Sequence, residues 1–180
     1  KRQFLVGNVV VAVLTAMVPL LVVFYEWPAL YRFYEVNAVS PPDISIIFYW
    51  VGGFALFAFI TTLIREIIKD IEDFEGDMAY GRNTVPVVTG ILTARIIAVV
   101  LTALTIIMLY AVWKMFLNDN ITLIYLSVAV VVPLLLVIRH LVSSPGKSQL
   151  HSASTLMKAA QCTGVLYSVV VKLILDLSLV

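Results

Sequence analysis

The sequence predicts an all-α, polytopic transmembrane helix bundle, and three observations predict it. Its 180 residues are 62% hydrophobic and only 13% charged, with a mean hydropathy of +1.04, whereas a soluble globular chain is about half apolar and a quarter charged. The apolar residues fall in blocks too long for a soluble core of this size to bury, so lipid must be their solvent. The lysines and arginines, finally, sort by side once the blocks are counted as spans.

Stretches without Asp, Glu, Lys or Arg cover residues 3–25, 44–64, 96–113, 120–138 and 159–171. The first four hold 23, 21, 18 and 19 residues, close to the roughly 20 helical residues that cross a hydrocarbon core. The first is longer than the apolar stretch of a cleaved signal, about 7 to 15 residues, and reads as a span. Within these spans Pro19 and Pro133 are expected to kink their helices, Gly52 and Gly53 to permit close helix approach, and Trp50 to pack against another helix. The fifth stretch, 13 residues, reaches spanning length by continuing over 173–180, where Lys172 and Asp176 stand at i,i+4 and can pair or snorkel. Its Cys162 is the one cysteine, which excludes a disulfide framework and a metal–thiolate site and is expected to pack.

Five spans leave six flanking regions on alternating sides. One side takes Lys1, Arg2, Arg65, Lys69, Arg82, Arg95, Arg139, Lys147 and Lys158, and the other only Arg32, Lys114 and Lys172. That asymmetry assigns the Arg65–Arg95 and Arg139–Lys158 regions to the cytoplasmic face of a multi-pass membrane protein. Aromatic residues agree: Tyr25, Trp27, Tyr31, Phe33 and Tyr34 follow the first span, and Trp113 and Phe116 end the third, at the opposite interface.

Charge is concentrated in one place. Glu66, Asp70, Glu72, Asp73, Glu75 and Asp77 are six of the eleven acids, within twelve residues directly after the second span. As a hydrated extension of that helix, at about 100° per residue, Glu66, Asp70, Asp73 and Asp77 share one face. Neighbours about 6 Å apart repel by roughly 3 kcal/mol per pair at an effective dielectric near 20, so a positive charge is expected there. The plainer reading is a solvated acidic face. Against it stand the position at a membrane boundary and the interleaved Arg65, Lys69 and Arg82, which suit an anion as well as a cation. Mg²⁺ takes one or two carboxylates and keeps its other positions for water and phosphates, so a Mg²⁺-bridged diphosphate fits both signs. Beyond Asp77, the glycines and proline at Gly81, Pro86 and Gly90 punctuate a connection that can close over a ligand.

The run from Arg65 to Gly90, with its Lys-Asp-x-x-Asp-x-x-Gly-Asp core, resembles the second aspartate-rich motif of the UbiA superfamily of intramembrane prenyltransferases. The Lys-Arg-x-x-x-x-Gly-Asn start at Lys1 to Asn8 is similar to that family's fifth span, so the resemblance covers the whole chain. Within the superfamily the acidic run looks most like the geranylgeranylglycerol-phosphate geranylgeranyltransferases, with quinone or other aromatic-acceptor enzymes as the alternative. The resemblance implies that residues 1–180 are the C-terminal part of a single nine-span domain and that 65–90 is its cytoplasmic loop. It further implies a prenyl diphosphate, a lipid or aromatic acceptor and the bilayer as partners, with no nucleic acid, and Mg²⁺ as cofactor. Asp70, Asp73 and Asp77 are then the catalytic and metal-holding residues, and Lys69, Arg65 and Arg82 the diphosphate-binding ones. The family's first motif, Asn-Asp-x-x-Asp-x-x-x-Asp, is not present, and Asn118-Asp119 lies on the opposite side. Four further spans are therefore expected upstream, and the 180 residues alone are expected not to turn over substrate.

Two rivals are weaker on the residues. CDP-alcohol phosphotransferases need an Asp-Gly-x-x-Ala-Arg start, and only a final Asp-x-x-x-Asp occurs here. A non-catalytic membrane protein or divalent-cation transporter subunit would place ionisable residues inside spans along a pathway, and the four clear windows have none. His140 and His151, beside the second cytoplasmic loop, read as interfacial polar caps.

Overall fold

The computed structural model describes residues 5–37, 44–143 and 146–178, without the side chains of 44 and 175–178. Lys1, Arg2 and the side chain of Asp176, the i,i+4 partner of Lys172, lie outside what is described. Among the described residues eight α-helices follow one another: α1 Val6–Val36, α2 Ile44–Glu72, α3 Phe74–Ala79, α4 Val85–Thr89, α5 Ile91–Val112, α6 Asn120–Tyr125, α7 Val132–Val142 and α8 Lys147–Ser178. Wider π turns over Trp113–Leu117 and Leu126–Val131 extend α5 and join α6 to α7. Among the described residues five continuous helical rods are, by length and composition, long and apolar enough to cross a membrane: Val6–Val36, Ser45–Glu72, Ile91–Leu117, Asn120–Val142 and Lys147–Ile174.

The rods exceed their charge-free windows because ionisable and aromatic residues continue the helices past the hydrocarbon. α1 runs unbroken through Pro19 and Pro28 and carries the aromatic cluster as its last three turns. α8 begins twelve residues before its window, so the fifth span is a full rod. Pro133 acts through the turn before it: lacking an N–H and crowding the carbonyl four residues back, it begins α7 just after the π turn, where the spacing opens. The α5–α6 hairpin needs only two residues. Asn118 takes the left-handed conformation at φ 52°, and Asp119 caps α6 by accepting from the Thr122 N–H at 2.7 Å. Partial burial opposes ionisation of Asp119, but the hydrogen bonds from Thr122 and adjoining backbone outweigh it and hold the carboxyl below its ordinary value.

α2 is the centre, packed on α1, α5 and α8, with α7 closing against α5 and α8. The core joins Ile64, Ile67 and Ile68 of α2, Ala94 and Ala98 of α5, Leu134 and Val137 of α7, and Ala153, Met157 and Ala160 of α8. Small residues at these contacts let rods approach closely where lipid supplies no hydrophobic drive. Polar cross-links add to them: Gln161 Nε2 donates to Thr62 Oγ1 at 3.0 Å, and the Tyr125 hydroxyl donates to the Thr163 carbonyl at 2.7 Å. α1 buries only Ala12 and turns Leu14, Val18, Leu21 and Phe24 outward.

Three packing expectations change. Cys162 is exposed on the outer face of α8. Trp50 stacks on Phe54 of its own helix, ring centres 6.5 Å apart. Gly52 and Gly53 have nothing within 4 Å of where a Cβ would stand; the close approach is made instead by Gly164 of α8, where a Cβ would overlap the ring of buried Phe57. Gly164→Ala is therefore expected to destabilise the bundle by about 1–3 kcal/mol through overpacking, while Gly53→Ala is neutral or slightly stabilising. Thermal unfolding in detergent, followed by tryptophan fluorescence, checks the contrast; equal melting temperatures for the two variants would remove the α2–α8 contact from the argument.

Candidate functional site

The end of α2 is fixed by one stripe. Ile64, Ile67, Ile68 and Ile71, at i, i+3, i+4 and i+7, are all buried in the core, and this orients the charged residues between them. Asp70 lies beside the stripe and is itself buried, its Oδ2 accepting from Asn8 Nδ2 of α1 at 2.7 Å. Arg65 turns its guanidinium onto the neighbouring Glu66, with Nη1 and Oε1 2.7 Å apart. Lys69 makes no ion pair among the described residues.

The helix does not continue through the acidic run. α2 ends at Glu72, and Asp73, exposed at φ −92° and ψ 8°, starts α3. Backbone bonds from Asp73 N–H to the Lys69 carbonyl and from Asp77 N–H to the Asp73 carbonyl persist across the break, so it is a bend rather than an open loop. Segment 65–90 as a whole is mostly helical, with α4 started by Pro86 in its first turn.

α3 closes with a Schellman turn. Gly81, at φ +62°, lets its own N–H reach the Met78 carbonyl at 3.2 Å and the Arg82 N–H reach the Asp77 carbonyl at 2.9 Å. The reversal carries the Arg82 guanidinium back over Asp77, Nη1 to Oδ1 3.1 Å. The side chain of Asp77 is 4% exposed and that of Arg82 49%, so the acid is enclosed and its partner reaches water. Local partners thus offset much of the repulsion expected among the acids.

Sequence reasoning missed the contacts that α8 makes with the acidic run. Lys147 Nζ lies 2.7 Å from Glu75 Oε2, and His151 Nδ1 lies 3.3 Å from Glu72 Oε1. The hydrogen bond from Lys147, then its charge, lowers the Glu75 pKa from its ordinary value. Part of the signal was present: Lys147 and His151 stand four apart, a spacing that sets them on one face of α8, whereas Glu72 and Glu75 flank the bend at Asp73. Arg95 Nε also donates to the Leu141 carbonyl at 2.9 Å. These contacts join the two basic regions at one end of the bundle, around a cavity of about 220 Å³ bordered by Glu72, Glu75, Arg95 and Lys147. Asn8 was likewise not singled out as a partner of Asp70.

Among the described residues no three of His, Cys, Asp and Glu converge closely enough to hold a metal ion by themselves. The donor chemistry still fits Mg²⁺, which needs only one or two protein carboxylates when phosphate and water complete its shell. Asp73 offers an exposed carboxylate and Asp77 an enclosed one four residues on; Asp70 is committed to Asn8. The Schellman turn is the device that keeps this arrangement together. Gly81→Ala is expected to cost about 1–2 kcal/mol by forcing a side chain into the left-handed region, whereas helical Gly76→Ala, with open space around it, is not destabilising. Unfolding midpoints of the two variants in one detergent check this, and a Gly81 variant as stable as wild type would contradict it.

Residues 1–160 match the model of the UbiA prenyltransferase family. The chain is 38% identical over 107 residues to the digeranylgeranylglyceryl phosphate synthase of Thermococcus sibiricus, covering 59% of this chain and 32% of that protein. It is 38% identical over 103 residues to the synthase of Pyrococcus furiosus, covering 57% of this chain and 30% of the relative. To the synthase of Methanosphaera stadtmanae it is 30% identical over 162 residues, covering 88% of this chain and 51% of the relative. The chain thus spans between about a quarter and a half of the length of the curated relatives it matches. No solved structure matches it. With the acidic run of α2–α3 falling inside the matched stretch, the chain belongs to the UbiA prenyltransferase family.

Proposed function

We propose that the protein containing this chain transfers a prenyl group from an allylic prenyl diphosphate to a lipid-pathway acceptor, geranylgeranylglyceryl phosphate. The observation that carries the reading is the Lys69-Asp70-x-x-Asp73-x-x-Gly76-Asp77 run, placed by its buried isoleucine stripe at the end of a membrane-spanning rod. The acceptor follows the name that the similar archaeal proteins bear. The basic-residue asymmetry supports a cytoplasmic position for this end.

Each residue has a distinct task. Asp73 and Asp77 would hold Mg²⁺ on the diphosphate, with Asp70 supporting them from its Asn8-fixed position. Bound there, the ion supplies charge that stabilises the departing diphosphate. Lys69, Arg65 and Arg82 neutralise phosphate oxygens; Arg82 is held for this by the Gly81 turn, and Lys69 by its place one residue before Asp70. Such a preorganised set of charges lowers the barrier to breaking the allylic C–O bond. The allylic carbon then bonds to the acceptor hydroxyl oxygen, which releases its proton as diphosphate departs.

In the complete protein, Asp73→Ala and Asp77→Ala are each expected to lower the rate of prenyl transfer by about two to three powers of ten, the scale seen when one stabilising group for developing charge is lost. Chelating divalent cations should abolish transfer and added Mg²⁺ restore it. Radiolabelled prenyl transfer into the lipid fraction measures both, and an Asp73→Ala rate within twofold of wild type sinks the assignment.

A further inference from the structure

Buried polar groups almost always find partners, and the buried threonines of this bundle show it. Thr61, Thr102 and Thr105 donate to carbonyls one turn back at 2.7–2.8 Å, and Thr122 shares a hydrogen bond of 2.7 Å with Tyr167. Only two enclosed side-chain polar atoms among the described residues lack a partner: Thr84 Oγ1 and Arg65 Nε. Both belong to the short segment from Arg65 to Gly90 that carries the acidic run, and an unpaired buried group is costly enough to need a reason.

Thr84 is the one with no role so far. It is 5% exposed and precedes α4, where its carbonyl accepts from the Val88 N–H at 3.1 Å. A threonine at this position ordinarily turns its hydroxyl onto an N–H in the first helical turn. Thr84 does not, and Pro86 removes one of the candidate N–H groups. Two residues earlier Arg82 reaches Asp77, α4 packs on both α2 and α3, and the next residue, Val85, is buried in the core cluster with Ile67 and Ile71. The hydroxyl therefore sits on a rigid, anchored element at the acidic end of α2, enclosed and without an acceptor.

We infer that the Thr84 hydroxyl is a substrate-binding group that donates a hydrogen bond to a phosphate oxygen beside the acidic run. Arg65, whose Nε–H is the second unsatisfied donor, is already among the proposed diphosphate-binding residues. The inference rests on the proposed phosphoryl-bearing substrates, and both carry the same chemistry: the diphosphate of the prenyl donor and the phosphomonoester of the acceptor. A neutral, enclosed donor suits this place, because it adds a directed contact without adding to the cations already paired with Glu66 and Asp77.

The test uses the complete protein in detergent with Thr84→Val, which keeps the shape and removes the hydroxyl, and Thr84→Ser, which keeps the hydroxyl. Binding of inorganic pyrophosphate with Mg²⁺ and of glycerol phosphate is titrated calorimetrically, and melting temperature is measured without ligand. A tenfold or greater loss of pyrophosphate affinity in Thr84→Val, with Thr84→Ser within threefold of wild type and the unliganded melting temperature unchanged or raised, is the expected result and assigns the contact to the donor substrate. The same loss confined to glycerol phosphate assigns it to the acceptor. Affinities for both probes within twofold of wild type overturn the inference, as does a lowered melting temperature of unliganded Thr84→Val, which would show the hydroxyl serving a structural partner such as a buried water. Wild-type protein that binds neither probe overturns it too. Pyrophosphate binding that is sensitive to Thr84 without any prenyl transfer by wild type would instead leave the contact standing and sink the proposed reaction.

Discussion

Hydrocarbon offers no partner to a backbone N–H or carbonyl, so a chain crossing it must satisfy those groups within its own segment. Everything else in this structure is arranged around that constraint. The five rods stay helical through two prolines in α1 and two π turns, which widen the hydrogen-bonded ring without abandoning it. Departures from helix fall at rod ends: the Asn118–Asp119 hairpin, the bend at Asp73 and the reversal at Gly81. The charged site lies at such an end because only there can the backbone turn, and only there do carboxylates meet water, cations and headgroup phosphates together.

Much of this was legible in the sequence because composition and length speak directly to the constraint. Four of the five spans follow from charge-free windows, and the fifth from the alternation of basic residues. What was not legible depends on rotation about the helix axis and on partners distant in the chain. Gly52 and Gly53 carry the small-residue signal of a close interface, yet among the described glycines it is Gly164 whose Cβ position is met by a facing side chain, the ring of Phe57. Cys162 reads as core by residue type and is exposed, since outward positions of a membrane rod are apolar too. At the site the types and positions of the acids were legible, but the bend at Asp73 was not, as nothing in Glu-Asp-Phe-Glu marks a helix end. The partners Asn8, Lys147 and His151 lie more than 60 residues away from the acids they meet.

The electrostatics of the acidic end follow from how those partners are distributed. Four carboxylates on one uninterrupted face would repel strongly, and the bend at Asp73 interrupts that face. The chain supplies part of that charge itself, through Arg65 to Glu66 and Arg82 to Asp77. These two pairs differ in kind. Arg65 and Glu66 are similarly covered, so their pairing is local neutralisation. Asp77 is enclosed while Arg82 stands half in water, so the acid bears most of the desolvation and the guanidinium keeps free hydrogen-bonding edges. A cation arriving at Asp77 would compete with Arg82, and the released guanidinium would already be beside the anion that such a cation brings.

The distribution of charge also bears on the choice between a transferase and a conduit. An ion pathway requires ionisable or closely spaced polar groups along the depth of the membrane, so that a permeating ion is stabilised at each step. Among the described residues the polar groups enclosed at mid-span are threonines, with Gln161 partly covered beside them, and Thr61, Thr102 and Thr105 spend their hydroxyls on their own helix one turn back. Nothing in that set offers a moving cation a sequence of sites. The acids instead form one terminal cluster, with basic residues interleaved and enclosed donors left without acceptors in the same segment. A pathway would place unsatisfied groups along its length; among the described residues the two unsatisfied enclosed donors, Arg65 Nε and Thr84 Oγ1, both lie in the Arg65–Gly90 segment.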